Sequence, residues 1–284
     1  MPTIPFNRPY FSGNEFDYIQ QAIANMQLSG DGPFTRKCHA LIESALNVPK
    51  ALLTTSCTHA LEMAAILLDI QPGDEVIIPA FTFVSTANAF VLHGARPVFV
   101  DVRPDTLNLD ERQLERHITK KTRAIVPVHY SGVGCEMDVI LKIAGQAGIA
   151  VVEDNAHGFL AKYRGRFLGT MGALGTQSFH ETKNVSCGEG GALAFRDQRY
   201  IERAEMIRQK GTNRAQFYRG EVDKYTWTDI GSSFVPSELQ SAYLLAQLEK
   251  QQWIQRRRRK IYEKYLDAFS PLAERGILQL PVIP

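Results

Sequence analysis

Short, continuously apolar runs alternate with helical patterns along most of this chain, and that alternation limits what it can fold into. "ALLT" (51–54) leads to "HALEMAAILLD", where Leu61, Ala64, Ala65 and Leu68 recur at helical spacing. "EVIIPA" (75–80) leads to "STANAFVLHG", "PVFVDV" (97–102) to the polar "DERQLERHI", and "AIVPVHY" (124–130) to "MDVILKIAGQAG", after which comes "AVVEDN" (150–155). Runs apolar at every position suit strands covered on both faces, so the pattern predicts an α/β fold with a mostly parallel sheet. Pro79 and Pro127 fall late in their runs, where a strand ends or lies at an edge. From 236, "PSELQSAYLLAQLEKQQWIQRRRRKIYEKYLDAF" reads as one long helix with a serine-glutamate start, and "GILQLPVIP" reads as the beginning of a further strand.

Composition narrows the class. Hydrophobic residues make up 44% and charged residues 22% of the 284 positions, as in soluble globular proteins. The net charge of +2 argues neither for nor against an acidic partner. Cys38, Cys57, Cys135 and Cys187 are scattered without a CxxC pair, which suits a reducing compartment and no structural zinc. "MPTIPFNRPY" lacks a basic segment followed by an apolar one, and no apolar run approaches the roughly 18 residues of a membrane span. A cytoplasmic protein that does not enter the membrane is expected. "RRRRK" (256–260) would circle a helix rather than form one face, so a solvated or subunit-facing helix is expected there and not a nucleic-acid surface.

In open α/β sheets ligands sit beyond the carboxyl ends of the strands. The segments in those places are "TSCTHA", "AFTFVST", "HYSGVG", "DNAHG" and "HETKN". "TTSCTHAL" (54–61) places small hydroxyl residues where a strand gives way to a helix; it can cradle a phosphate on backbone N–H groups, or simply cap the helix with Ser56 or Thr58. It is neither GxGxxG nor a P-loop, which argues against nicotinamide and nucleoside triphosphate sites. "VVEDNAHG" (151–158) ends a strand in acids and a histidine. Asp154 there can cap a strand end or pair with a protonated ring nitrogen, and His129 and His157 can be core histidines. A metal site from His129, Asp154 and His157 matches no strong ligand spacing, and none is expected.

"SFHETKNVSCGEGGALAF" (178–195) sets Lys183 between a strand-like segment and a glycine-rich one. A lysine that attacks a carbonyl must first lose its proton, and such a setting can provide for that. Asp154, Ser178, Lys183 and a cradle at 55–58 together are what a pyridoxal phosphate (PLP) enzyme needs: a lysine to hold the cofactor covalently, an acid for the pyridinium proton, and hydroxyls and amides for the phosphate. Phe83 can cover the ring face.

On these residues the chain resembles the DegT/DnrJ-type sugar-nucleotide aminotransferases, of the aspartate aminotransferase-like fold (PLP fold type I). "GDGPFTR", "PAFTFVSTANA", "VVEDNAHG", "SFHETKN…GEGG" and "SELQSAYLLAQLE" carry the likeness, which runs from "PFNRPY" to Pro284. Within the family it resembles most the dTDP-4-amino-4,6-dideoxygalactose transaminases, through "LLTTSCTHALEMAAILLDIQPGDEVIIP", "GTNRAQFYRGEVDKYTWTDIGSS" and "HETKN".

The resemblance implies Lys183 as the Schiff-base lysine and general acid/base, Asp154 as the pyridine-nitrogen partner, and His157 near the ring oxygen. It implies Ser178 on the phosphate with Ser56 and Cys57 as the backbone cradle, and Phe83 stacked on the ring. Many members carry Asn and Arg in a "GxNxR" segment where this chain has Ser233 and Val235. The implied assembly is a homodimer in which 212–235 crosses to the neighbour, Ser233 meeting its phosphate and Arg214 and Arg219 the substrate's diphosphate. The implied reaction moves an amino group from L-glutamate to a dTDP-4-keto-6-deoxyhexose, for a surface polysaccharide such as enterobacterial common antigen. The implied domains are 1–235, a PLP-binding large domain with an N-terminal helical arm, and 236–284, a long helix opening a C-terminal small domain that is cut short at Pro284. Competing expectations are a decayed or regulatory protein on the same fold, an aminotransferase for another keto sugar nucleotide, and a PLP-dependent sugar dehydratase, whose group has histidine in place of Lys183.

Overall fold

The computed structural model describes residues 5–284, so the first four residues of the N-terminal stretch lie outside it. The chain enters through α1 (Glu15–Ala24) and α2 (Pro33–Leu46). It then lays down β1 (Lys50–Thr54), α3 (Cys57–Leu67), β2 (Glu75–Pro79), α4 (Ser85–Val91) and β3 (Arg96–Val100). After a short turn of helix, α5 (Leu114–His117), come β4 (Thr122–Ile125), α6 (Met137–Ala147) and β5 (Ala150–Asn155). A small hairpin, β6 (Lys162–Tyr163) and β7 (Arg166–Phe167), precedes β8 (Leu174–Ser178) and β9 (Gly191–Phe195). The remaining helices are α7 (Ile201–Arg208), α8 (Arg214–Tyr218), α9 (Glu238–Glu249) and α10 (Gln251–Glu274).

Seven strands form one sheet in the order β1-β9-β8-β5-β4-β2-β3. The neighbours from β8 to β3 pair in parallel, and β9 runs antiparallel to both β8 and β1. The sheet is therefore parallel as expected except for one reversed strand. Successive residues point to opposite faces: Leu52, Val76, Ile78, Val152 and Leu193 pack under α3 and α4, with Ala60, Leu61, Met63 and Phe90 among their partners. Leu53, Ala192 and Ala194 pack on the other face against Phe34, Ile42, Leu245 and Leu248 from α2 and α9. Helices thus cover both sides, except at the edge strand β3, where Phe99 is exposed.

Two sequence segments 200 residues apart prove to be one device. Glu238 of "SEL" is fully buried and accepts hydrogen bonds from the N–H groups of Gly32 (3.0 Å), Phe34 (2.8 Å) and Thr35 (3.1 Å), and from the Thr35 hydroxyl. These are the donors that the start of α2 leaves unsatisfied, and a carboxylate suits the positive end of that helix. A side chain at Gly32 would lie 2.5 Å from the Glu238 carboxyl carbon, which explains the glycine of "GDGPF". Asp31 of the same motif pairs with buried Arg208 at 2.7 Å.

Two expectations are corrected. The helix from 236 breaks at Lys250 into α9 and α10. No proline or glycine marks the break; α9 is buried nearly all round, whereas α10 buries only Ile254 and leaves the body. "GILQLPVIP" forms no strand. Segment 212–235 holds α8 and is tied down within its own chain by bridges Thr212–Trp227 and Gln209–Ser233. Ala242, Leu244, Leu245 and Leu248 of α9 pack in the same core as residues of α2 and β1.

Candidate active site

The parallel strands and β1 all end at one edge of the sheet, and the reversed β9 begins there. That edge opens into a cavity of about 410 Å³ lined by Ser56, Cys57, Phe83, Asp154, His157, Ser178 and Lys183. These residues come from four separate segments of sequence, and the topology brings all seven together. The Lys183 loop leaves at Ser178 and returns at Gly191, which pair across β8 and β9. A side chain at Gly191 would stand 2.4 Å from the Cys57 nitrogen and 2.4 Å from the Ser56 carbonyl carbon, so the second strand can approach the cradle only with glycine there.

Ser56 caps α3: its hydroxyl accepts the His59 N–H at 3.1 Å. The capping reading of "TTSCTHAL" is therefore correct, and it leaves the first-turn amides of Cys57 and Thr58 without an intrahelical acceptor, at the edge of the cavity. Thr58 donates to Ser85 at 2.8 Å, tying the starts of α3 and α4 together. Amides of this kind, with the hydroxyls of Ser56 and Ser178, can hold a phosphate.

Asp154 is 5% exposed, near the end of β5. Its Oδ2 accepts the Thr86 hydroxyl at 2.7 Å and its Oδ1 the Ala156 N–H at 3.1 Å, so each oxygen keeps a lone pair for a further donor. Thr86 is in turn hydrogen-bonded to Thr82 at 2.8 Å. With its own hydrogen given to Asp154, Thr86 receives that of Thr82. Such a carboxylate fits a ring N–H.

Burial pushes the Lys183 amine below its ordinary pKa, against the opposing pull of Cys57 and Asp154. A larger share of neutral amine follows, which is what attack on a carbonyl requires. His157 is lowered too, first by burial and then by Lys183, with Asp154 opposing. Its Nδ1 accepts the Ser131 N–H at 3.1 Å, so the neutral ring carries its proton on Nε2 and can donate to an oxygen. Burial raises the Cys57 thiol well above its usual range, so it serves as a wall and not a nucleophile.

Behind this edge, His129 and Glu153 form a buried pair at 2.8 Å. The His129 Nδ1 accepts the Cys135 N–H, which places its proton on Nε2, toward Glu153. Burial alone would raise Glu153, but His129 and the amides of Gly172 and Gly169 hold it below its ordinary value. Among the described residues no group of three or more histidines, cysteines or acids is placed to hold a metal.

Three of the sequence candidates lie elsewhere. Ser233 is exposed and bridges to Gln209. Arg214 donates to the Tyr218 hydroxyl at 3.0 Å, and Arg219 is ion-paired to Glu205 and Glu221, both at 2.7 Å. None of the three lines the cavity of its own chain. Sequence reasoning missed Thr86, Tyr130, His180 and Glu189, which do line it. The four-residue spacing of Thr82 and Thr86 inside "FTFVST" was the available signal for the first.

The model of the DegT/DnrJ/EryC1/StrS aminotransferase family matches residues 9–283. The chain belongs to that family. It is similar to the spore coat polysaccharide biosynthesis protein SpsC of Bacillus subtilis, 34% identical over 95% of this chain and 70% of that protein. It is likewise similar to the GDP-perosamine synthase of Caulobacter vibrioides, 34% identical over 88% of this chain and 66% of that one. Among solved structures it superposes on the PLP form of the putative sugar aminotransferase Spr1654 from Streptococcus pneumoniae with a TM-score of 0.87, at 25% identity, over 95% of this chain and 72% of that one. The chain spans about two thirds of the length of the curated relatives it matches, 63% in one case. No described helix is long and apolar enough to cross a membrane.

Proposed function

We propose that this family member is a PLP-dependent transaminase that moves the amino group of L-glutamate to the keto carbon of a dTDP-4-keto-6-deoxyhexose. The product is a 4-amino-4,6-dideoxy sugar nucleotide for surface polysaccharide. The observation that carries the reading is a half-buried lysine of lowered pKa in one cavity with a doubly hydrogen-bonded aspartate and a hydroxyl-lined helix start. Bound PLP supplies an electron sink for the carbanion at the reacting carbon.

The chain's residues supply the rest. Ser56, Ser178 and the amides of Cys57 and Thr58 bind the phosphate, and Asp154 holds the proton on the ring nitrogen. His157 Nε2 donates to the ring oxygen, and Phe83 covers a ring face. Lys183 Nζ would anchor the cofactor, and once free of it would carry a proton away from the donor's α-carbon. In the second half of the reaction the same Nζ would supply a proton to C4 of the sugar.

The assembly proposed is a homodimer, in the cytoplasm. Ser233, Arg214 and Arg219 lie outside their own chain's cavity, so they reach a cofactor or substrate only in a second copy. The test supplies purified protein with PLP, glutamate and either dTDP-4-keto-6-deoxyglucose or its GDP-linked counterpart, and reads amino-sugar formation by mass and NMR. Lys183→Ala is expected to abolish the borohydride-reducible link to the cofactor. A link that survives this change assigns the anchor to another lysine. Turnover of the GDP-linked sugar alone overturns the dTDP assignment.

A further inference from the structure

Among the described residues the His157 ring makes one hydrogen bond, accepting the Ser131 N–H on Nδ1 at 3.1 Å. That N–H belongs to a tight turn over residues 130–133, closed by the Val133 N–H on the Tyr130 carbonyl at 2.9 Å. Both central residues of the turn have positive φ, Ser131 at 52° and Gly132 at 81°. Glycine suits such a turn and serine does not: the left-handed conformation costs a residue with a Cβ roughly fivefold to thirtyfold in population. A side chain at Gly132 would stand 3.2 Å from the His157 carbonyl oxygen, so the turn lies directly on the segment that carries the histidine.

An unfavourable backbone conformation persists where its surroundings over-determine it. One side chain does that here. Asn108 is 2% exposed in the loop after β3; its Oδ1 accepts the Tyr130 N–H at 3.0 Å and its Nδ2 donates to the Val133 carbonyl at 3.0 Å. A single amide thereby clasps both ends of the turn. Its own place is fixed by the Arg103 N–H, donated to the Asn108 carbonyl at 2.8 Å. The turn's further backbone bonds are local, from Tyr130 to the Val128 carbonyl and from Gly132 to the His129 carbonyl, each at 3.0 Å. Asn108 does not itself line the cavity. The Tyr130 ring does, and it packs 5.4 Å from the His157 ring and 4.7 Å from that of Phe81.

We infer that Asn108 is a positioning residue for His157: by holding the 130–133 turn in its strained form it keeps the Ser131 N–H on Nδ1, and so keeps the imidazole proton on Nε2, free to donate. The inference rests on the transaminase reading only for what Nε2 then meets. The tautomer is a property of the chain alone.

The test reads the His157 tautomer in cofactor-free protein, by long-range proton–nitrogen NMR of isotope-labelled histidine at a pH where the ring is neutral, with His157→Gln to assign the signal. The proteins compared are the parent, Asn108→Ala, Ser131→Gly and the two changes together. Asn108→Asp, which keeps the acceptor for Tyr130 and loses the donor to Val133, carries the same comparison if Asn108→Ala does not fold. The parent should hold the Nε2–H form. In Asn108→Ala the ratio of Nε2–H to Nδ1–H should fall about fivefold, the worth of one hydrogen bond exchanged for water. Ser131 is exposed, and glycine enters the left-handed conformation at no steric cost, so Ser131→Gly should keep the parent's tautomer and the double variant should recover it. A merely structural role for Asn108 predicts no such rescue, because glycine returns none of the amide's contacts. A tautomer unchanged by both Asn108 variants, or a double variant no better than Asn108→Ala, overturns the inference. With PLP bound, the glutamate half-reaction should slow in Asn108→Ala and recover in the double variant; equal rates beside a shifted tautomer would sever the turn from the cofactor. If no protein reacts with glutamate while the tautomer follows the variants as expected, the transaminase reading falls and the positioning of His157 stands.

Discussion

Asp154→Asn isolates a charge from a shape. The side chain is almost fully buried, with Thr86 on one oxygen at 2.7 Å and the Ala156 N–H on the other at 3.1 Å. An amide can retain the Ala156 contact through its oxygen and turn its NH₂ toward Thr86. The Thr86 hydroxyl then gives its hydrogen to Thr82, 2.8 Å away, so no polar atom is stranded. Exchanging a charge-assisted bond for neutral ones costs about 1 kcal/mol, or roughly 2–4 °C in melting temperature for a chain of this size. The chemistry should suffer far more. An amide cannot hold the positive charge on the ring nitrogen, and removal of one preorganised contact of this kind costs about 2.7–4 kcal/mol, a hundred- to a thousand-fold in rate. The assay is a single turnover of PLP-loaded protein with excess glutamate, followed by stopped-flow absorbance, beside a thermal melt and PLP retention after gel filtration. Turnover within about tenfold of the parent with cofactor retained would remove Asp154 from the mechanism. Collapse of the fold would show the acid to be structural instead.

Two further outcomes concern the frame around the site. Glu238→Gln should destabilise the protein by about 2–4 kcal/mol in urea unfolding, because the amide's NH₂ must face either the Phe34 N–H or the cluster at Gly32 and Thr35; a loss under about 0.5 kcal/mol refutes the capping argument. Glu153 is held below its ordinary value in the folded protein, so its contribution to stability is full above about pH 4.3 and drains away as pH falls through the folded pKa. Between about pH 4.3 and that folded value, Glu153→Gln should therefore flatten the fall of unfolding free energy by up to about 1.4 kcal/mol per pH unit, and an unchanged slope assigns the acid sensitivity elsewhere.

Much of the site was legible because strand ends can be read from apolar runs, and the ends of such runs in an α/β sheet converge. Asp154, Ser178 and Lys183 needed no more than that, together with the chemistry of their side chains. Thr86 had only its four-residue spacing from Thr82 to mark it, because a hydroxyl in the first turn of a helix looks like any capping residue until the acid beside it is placed. The reversal of β9 leaves no trace in "GALAF", since a fully buried strand is apolar in either direction. The break at Lys250 was hidden for a related reason: helical periodicity survives a single-residue change of direction when no proline or glycine signals it.

The reversed strand has a consequence for how the site could change. Because β8 and β9 are adjacent and antiparallel, Ser178 and Gly191 are opposite each other, and both mouths of the lysine loop are riveted to the same edge of the sheet. A parallel neighbour would have needed a long crossover there, in which added residues are absorbed without moving anything near the cavity. Here the loop acts as a ruler of set length. One residue gained or lost between those two positions displaces Lys183 relative to Asp154, or slips β9 and turns Ala192 and Ala194 from one core toward the other. Natural variation and engineering in this chain should therefore proceed by exchanging side chains within that loop, and by lengthening others.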